Sequence, residues 1–222
     1  MRSVGRDRRS LVLIALLTVY VYGASVEAAD QTGQSATFSG ICGSLENGFG
    51  PYDYRVVDSH NKWLVESAHF PPQVETLRAG SRGTIGGDLD YTLRALPNHP
   101  RALMAMVRLS ERLKTPQPPG ARYPAECYFD RAVRFSPDDA MVHVLYGNYL
   151  AKRGRAAEAR QQLAAAEANV GTDAQVTYNL GLAYFELKDY EKAAGFAKNA
   201  QEMGIQFTGL QQRLERVGKW PR

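Results

Sequence analysis

Small and large apolar positions recur along the C-terminal half of the chain at an interval of 34 residues. Gly147 returns as Gly181 and Leu150 as Tyr184. Ala125, Phe129 and Ala132 return as Ala159, Leu163 and Ala166, and again as Ala193, Ala197 and Ala200. Each copy reads as two helices, the first carrying Gly and large residues, the second an Ala–large–Ala set. Small residues at a helix crossing let the paired axes approach, while larger ones fill the neighbouring layer. Full copies are predicted over 100–139, 140–173 and 174–207. Pro97 and Pro137 hold the same repeat-end position but lie 40 apart, so the first copy carries six extra residues, Thr115-Pro116-Gln117-Pro118-Pro119-Gly120. Proline cannot continue a helix interior, which makes this stretch a stiff loop. It reads first as a tolerated surface insertion and alternatively as a partner-binding polyproline segment.

Upstream, Asp88 to Leu96 followed by Pro97-Asn98-His99-Pro100 reads as the second helix of a half repeat over 84–99. Downstream, Leu210 to Val217 closed by Gly218 gives a terminal helix within 209–218 that shields the last repeat from water. The array spans about 84–220. Its third copy, with Leu180-Gly181, Tyr184, Ala193 and Ala200 and the turn Lys188-Asp189-Tyr190, resembles the tetratricopeptide repeat (TPR) pattern. The second copy keeps Gly147, Ala159, Leu163 and Ala166 but has His143 and Tyr146 where Trp and Leu are usual. The resemblance implies an all-α fold, a TPR-type solenoid of helical hairpins with an irregular N-terminal cap. Four further segments extend it: Cys42-Gly43-Ser44-Leu45, Gly50-Pro51-Tyr52-Asp53-Tyr54-Arg55, His69-Phe70, and Asp88-Leu89-Asp90-Tyr91 through Asn98-His99. Together they are similar to a family of exported bacterial TPR proteins over most of the mature chain. That similarity implies a periplasmic setting and carries over no catalytic residue. Some family members are labelled transporter permeases, but this chain lacks the spans a permease needs.

Residues 1–28 read as a cleaved signal peptide, with a basic start, an apolar run from Leu11 to about Tyr22, and cleavage expected after Ala28; a retained anchor is the alternative. The run is too short to cross a bilayer as a helix, which takes about 20 residues. No transmembrane span is expected in the mature chain, and the location is periplasmic or secreted. Residues 29–83 do not follow the repeat and are expected to form an irregular cap. Within them a helix is predicted from about Pro72 to Arg78, with Phe49, Tyr52, Tyr54, Trp63 and Phe70 packed on the first repeat.

Composition, 44% hydrophobic and 23% charged, suits a folded globular chain. The formal charge of +4 falls to +2 once Arg2, Arg6, Arg8, Arg9, Asp7 and Glu27 leave with the signal. That excess is too small for a nucleic-acid footprint, which concentrates basic residues on one face. Cys42 and Cys127 are a candidate disulfide in an oxidising compartment, closing a loop of about 85 residues worth about 4 kcal/mol in the chain-entropy model; two buried free thiols are the alternative.

TPR arrays bind partners on the concave surface formed by their first helices. Here that surface would comprise Arg101, Met104, Arg108 and Arg112, then Met141, Val144, Asn148 and Lys152, then Gln175, Tyr178, Asn179, Leu182 and Phe185. It is basic at one end and apolar at the other, which suits a protein or peptide partner with an acidic part and an apolar anchor; the alternative is that the N-terminal segment covers some of these residues. The carboxylate clamp of chaperone-binding TPR domains is not expected, because Met104, Arg108 and Leu145 stand where its Lys and Asn would be. Asp58-Ser59-His60 holds hydrolase residue types, but adjacent residues cannot converge as nucleophile, base and orienter. His60, His69, His99 and His143 lack zinc-type spacing, and no Gly-Lys-Ser/Thr follows Gly80, Gly83, Gly86 and Gly87. The sequence thus predicts no catalytic site, metal or cofactor, and a scaffold or adaptor in an envelope assembly or secretion system. An enzyme, or an enzyme's accessory subunit, acting on cell-envelope polymers is the alternative.

Overall fold

The computed structural model describes residues 40–221, so the expected signal at 1–28 lies outside the described residues. Ten α-helices and no strands occur among the described residues. In chain order they are α1 (Ser59–His69), α2 (Pro72–Glu75), α3 (Ile85–Ala95), α4 (Pro100–Leu113), α5 (Ala125–Phe135), α6 (Ala140–Lys152), α7 (Ala156–Asn169), α8 (Ala174–Glu186), α9 (Tyr190–Glu202) and α10 (Gly209–Arg216).

Polar side chains set the helix starts by accepting from backbone N–H groups that have no intrahelical partner. Thr84 accepts from Gly87 to open α3, Asp139 from Met141 and Val142 to open α6, Asp173 from Val176 to open α8, and Asp189 from Lys192 to open α9. Neighbours in sequence pack in pairs, α3 on α4, α4 on α5, α6 on α7, and α8 on α9. Helices α4, α6 and α8 also touch in series.

The repeated small residues sit where these helices meet. A β-carbon on Gly147 would lie 2.6 Å from Leu163 Cδ2, and one on Gly181 2.7 Å from Leu210 Cδ2 and 3.2 Å from the Ala193 carbonyl. Ala159, Ala166, Ala193 and Ala200 are fully buried opposite them. One core cluster runs from Phe70 and Val74 through α3–α6 to Ala159. A second covers α6–α10 and ends at Leu210 and Leu214, and Leu187 packs against both.

The proline-containing insertion packs down instead of standing free. Pro118 is buried, Thr84 donates its hydroxyl to the Pro119 carbonyl at 3.0 Å, and Ala125 N–H donates to Pro116.

The N-terminal segment is more regular than its pattern predicts. It contains the eleven-residue helix α1, opened by Asp58 and buried only at Val65. Helix α2 ends at Glu75, three residues before the predicted end, because Leu77 takes a left-handed conformation at φ 58°. Arg78 N–H then closes on the Gln73 carbonyl at 2.8 Å, a Schellman-type stop that turns Leu77 into the core. Phe49, Tyr52 and Tyr54 pack around Val65, Ala95 and Leu96, and Phe70 joins the main core. Trp63 does not pack with them and is 62% exposed on the outer side of α1.

Candidate partner-binding face

The face predicted from the repeats divides into a covered end and an open end. On α4, all three arginines are engaged by the segment that carries α1 and α2. Arg101 forks onto the Glu75 carboxylate at 3.1 and 3.2 Å and reaches Glu66 at 3.2 Å. Arg108 donates to the Glu75 carbonyl at 3.3 Å, and Arg112 to the Leu77 carbonyl at 2.7 Å. Between these contacts Val74 and Leu77 insert into the core beside half-buried Met104.

A polar network fixes this segment in place. His99 opens α4 by accepting from Ala102 N–H at Nδ1, so its proton sits on Nε2 and is donated to Glu66 at 3.0 Å. The ring is fully buried, stacked on Tyr54 with centroids 4.1 Å apart. Burial pushes the His99 pKa down, and the hydrogen bond from His99 holds the Glu66 carboxyl below its ordinary range. Asn98 accepts from Tyr54 N–H and donates to both Asp53 and the α6 cap Asp139, at 2.7 and 2.8 Å. The Arg55 guanidinium holds the Asp53 carboxyl well below the usual carboxylate range and bridges it to Asp138. On α3, Asp88 accepts from His69 Nδ1 at 2.9 Å and from Ser81 N–H at 2.7 Å, while Asp90 accepts from Tyr128 at 2.6 Å.

The face continues on α6 and α8. Met141, Asn148, Asn179, Leu182 and Phe185 are half-buried, and Lys152 and Gln175 are exposed. Asn179 donates to the Met141 sulfur at 3.5 Å, which joins the two helices across the face. Val144 and Tyr178, both predicted to face a partner, are instead core residues. Val144 lies under α8, and Tyr178 accepts from Leu210 N–H at 3.3 Å and packs its ring edge on Phe207. The closing helix adds a residue the repeat pattern did not assign to the face: Arg213 lies over the Phe185 ring at 4.2 Å and pairs with Glu186 at 2.7 Å. A cleft of about 410 Å³ adjoins Met141, where Tyr54, Arg55 and Lys62 meet the starts of α6 and α8.

The remaining candidate chemistry is committed to structure. Asp58 caps α1 through Asn61, and His143 bridges Gln162 and the Pro137 carbonyl. Cys42 and Cys127 are buried and joined, with S–S 2.11 Å. Neither a protein-family model, nor a curated protein, nor a solved structure matches the chain.

Proposed function

We propose that the chain is an exported TPR-type scaffold whose α6–α8 face holds a segment of a partner protein, next to an α4 face already filled by the chain's own residues 66–77. The contacts on α4 carry this reading. Arg108 and Arg112, one helical turn apart, donate to the carbonyls of Glu75 and Leu77, while the side chains of Val74 and Leu77 enter the core. Donors at four-residue spacing over apolar anchors are a way to hold a peptide by its backbone.

The repeat places Asn148 and Lys152 of α6 at the positions of Arg108 and Arg112, 40 residues on. Neither side chain makes a hydrogen bond or ion pair with the described residues, and half-buried Leu182 and Phe185 lie beyond them on α8. A carboxamide offers both a donor and an acceptor to a peptide group, and Leu182 and Phe185 offer apolar area. The buried bridge between Cys42 and Cys127 supports an oxidising compartment and hence export.

The test is capture of partners from envelope extract with Asn148→Ala/Lys152→Glu, compared with the unmodified chain. The double variant is expected to lose the main partner while keeping its helical content and melting temperature. Undiminished recovery of the same partner would reject the α6–α8 face.

A further inference from the structure

We infer that a second site, on the side of the molecule formed by α7, α9 and the C-terminal segment, binds a phosphate-bearing ligand; the inference is independent of the partner face. The site is an open cleft of about 790 Å³, within the size range of small-molecule pockets. Four cations converge on it from separate parts of the chain: Arg160 from α7, Lys188 from the α8–α9 turn, Lys198 from α9 and Lys219 from the C-terminal segment.

What distinguishes these four is that they line one cleft with no ion-pair partner among the described residues. Several other basic residues of the C-terminal half are paired, Arg155 with Glu126 and Glu158, Lys192 with Glu167, and Arg213 with Glu186. Arg160, Lys188, Lys198 and Lys219 pair with no carboxylate among the described residues, although Asp189 and Glu191 also line the cleft. Asp189 is committed to capping α9. The cleft therefore gathers more positive charge than it neutralises, and like charges brought together favour a multivalent counter-anion.

The floor leaves room for one: Gly195 is exposed on α9, and a β-carbon there would meet nothing within 4 Å. Lysine ammonium groups act as point charges that take a tetrahedral anion from several directions, and Arg160 adds a planar fork. Lys198 is itself held over the Trp220 ring at 5.8 Å, which orders one wall of the cleft. This chemistry fits a phosphate group carrying two or more charges, either on a soluble phosphoester or on a phospholipid head group.

Calorimetry with inorganic pyrophosphate at low salt, and co-sedimentation with phosphatidylcholine vesicles with and without phosphatidic acid, test the site on the full chain. Two variants separate a shaped site from diffuse charge. Lys198→Glu/Lys219→Glu reverses two walls, and Gly195→Phe fills the floor while leaving every cation in place. The charge-reversed control is Arg82→Glu/Lys114→Glu, outside the cleft. The expected result is binding that weakens by about tenfold or more in both cleft variants and by less than twofold in the control, with no melting temperature lower than that of the unmodified chain. Binding to pyrophosphate alone assigns a soluble source, and binding to acidic vesicles competed by pyrophosphate assigns a head group. No binding of either probe overturns the inference. So does binding that Gly195→Phe leaves intact, or that the control variant weakens as much as the cleft variant.

Discussion

At the scale of single residues, the repeat is held by the absence of side-chain atoms at two helix crossings. Gly147 faces Leu163 so closely that a β-carbon would stand 2.6 Å from it. Gly147→Val should therefore destabilise the chain by about 1–3 kcal/mol in urea unfolding, as overpacked cores do. Gly195→Ala is the contrasting case, since its β-carbon meets nothing within 4 Å. It should stabilise α9 by up to about 1 kcal/mol through helix propensity alone. A second residue-scale prediction concerns His99. Burial lowers its folded pKa, so below the ordinary histidine range the unfolded chain takes up the proton more readily than the folded one. Stability should hold near neutral pH and fall as pH drops through about 6.5 towards the lowered value. His99→Asn supplies an oxygen to cap α4 in place of Nδ1 and should flatten the melting-temperature profile between about pH 7 and 5. An unchanged slope would remove His99 as its cause. Gly147 and Gly181 were legible in the sequence because a close approach tolerates so few residue types. The positions of Val144 and Tyr178 were not, since a repeat register fixes the helix but not how far its neighbours lean over it.

At the scale of elements, the N-terminal segment is joined to the repeats by cross-links of several kinds. The Cys42–Cys127 bridge anchors it to α5, and one turn further along α5 the buried Arg131 donates to the Cys42 and Ser44 carbonyls. Arg134 adds a bond to the Gly43 carbonyl at 3.0 Å. Cys127→Ser should cost about 4 kcal/mol, the value expected for a closed loop of 85 residues, read as a lowered urea midpoint. A loss below about 1 kcal/mol would mean that the arginine contacts hold the loop unaided. The segments that carry the resemblance to exported TPR proteins, Gly50–Arg55, His69-Phe70, and the α3 run from Asp88 to His99, supply much of this polar network. Their combination of Asp, Asn, His and Tyr is thus explained by joining the segment to α3 and α6. Helix α1 escaped the sequence reading because Val65 is its only buried residue, which leaves almost no apolar periodicity to detect. Leu77 hid the early end of α2, because a left-handed leucine carries none of the glycine signal that usually marks such a stop.

At the scale of the whole molecule, the all-α architecture follows from small and large residues recurring at fixed spacing, and that pattern was visible along the chain. Coverage of part of the face by the N-terminal segment was an open alternative, but which end it fills was not legible. Glu66, Glu75 and the Leu77 carbonyl lie 35, 26 and 35 residues from the arginines they engage, and no local pattern links them. Arg108 and Arg112, which look like partner-binding residues from charge alone, serve the chain's own segment, and the proposed partner face therefore rests on Asn148, Lys152, Leu182 and Phe185. Photo-crosslinking in the native envelope tests this division most directly, with the crosslinking side chain placed in turn at Arg108, Leu182 and the outward-facing Ala164. The account predicts that position 182 captures another protein, that position 108 yields only an internal link to residues 72–79, and that position 164 captures neither. Capture of an external protein from position 108, or none from position 182, would contradict it.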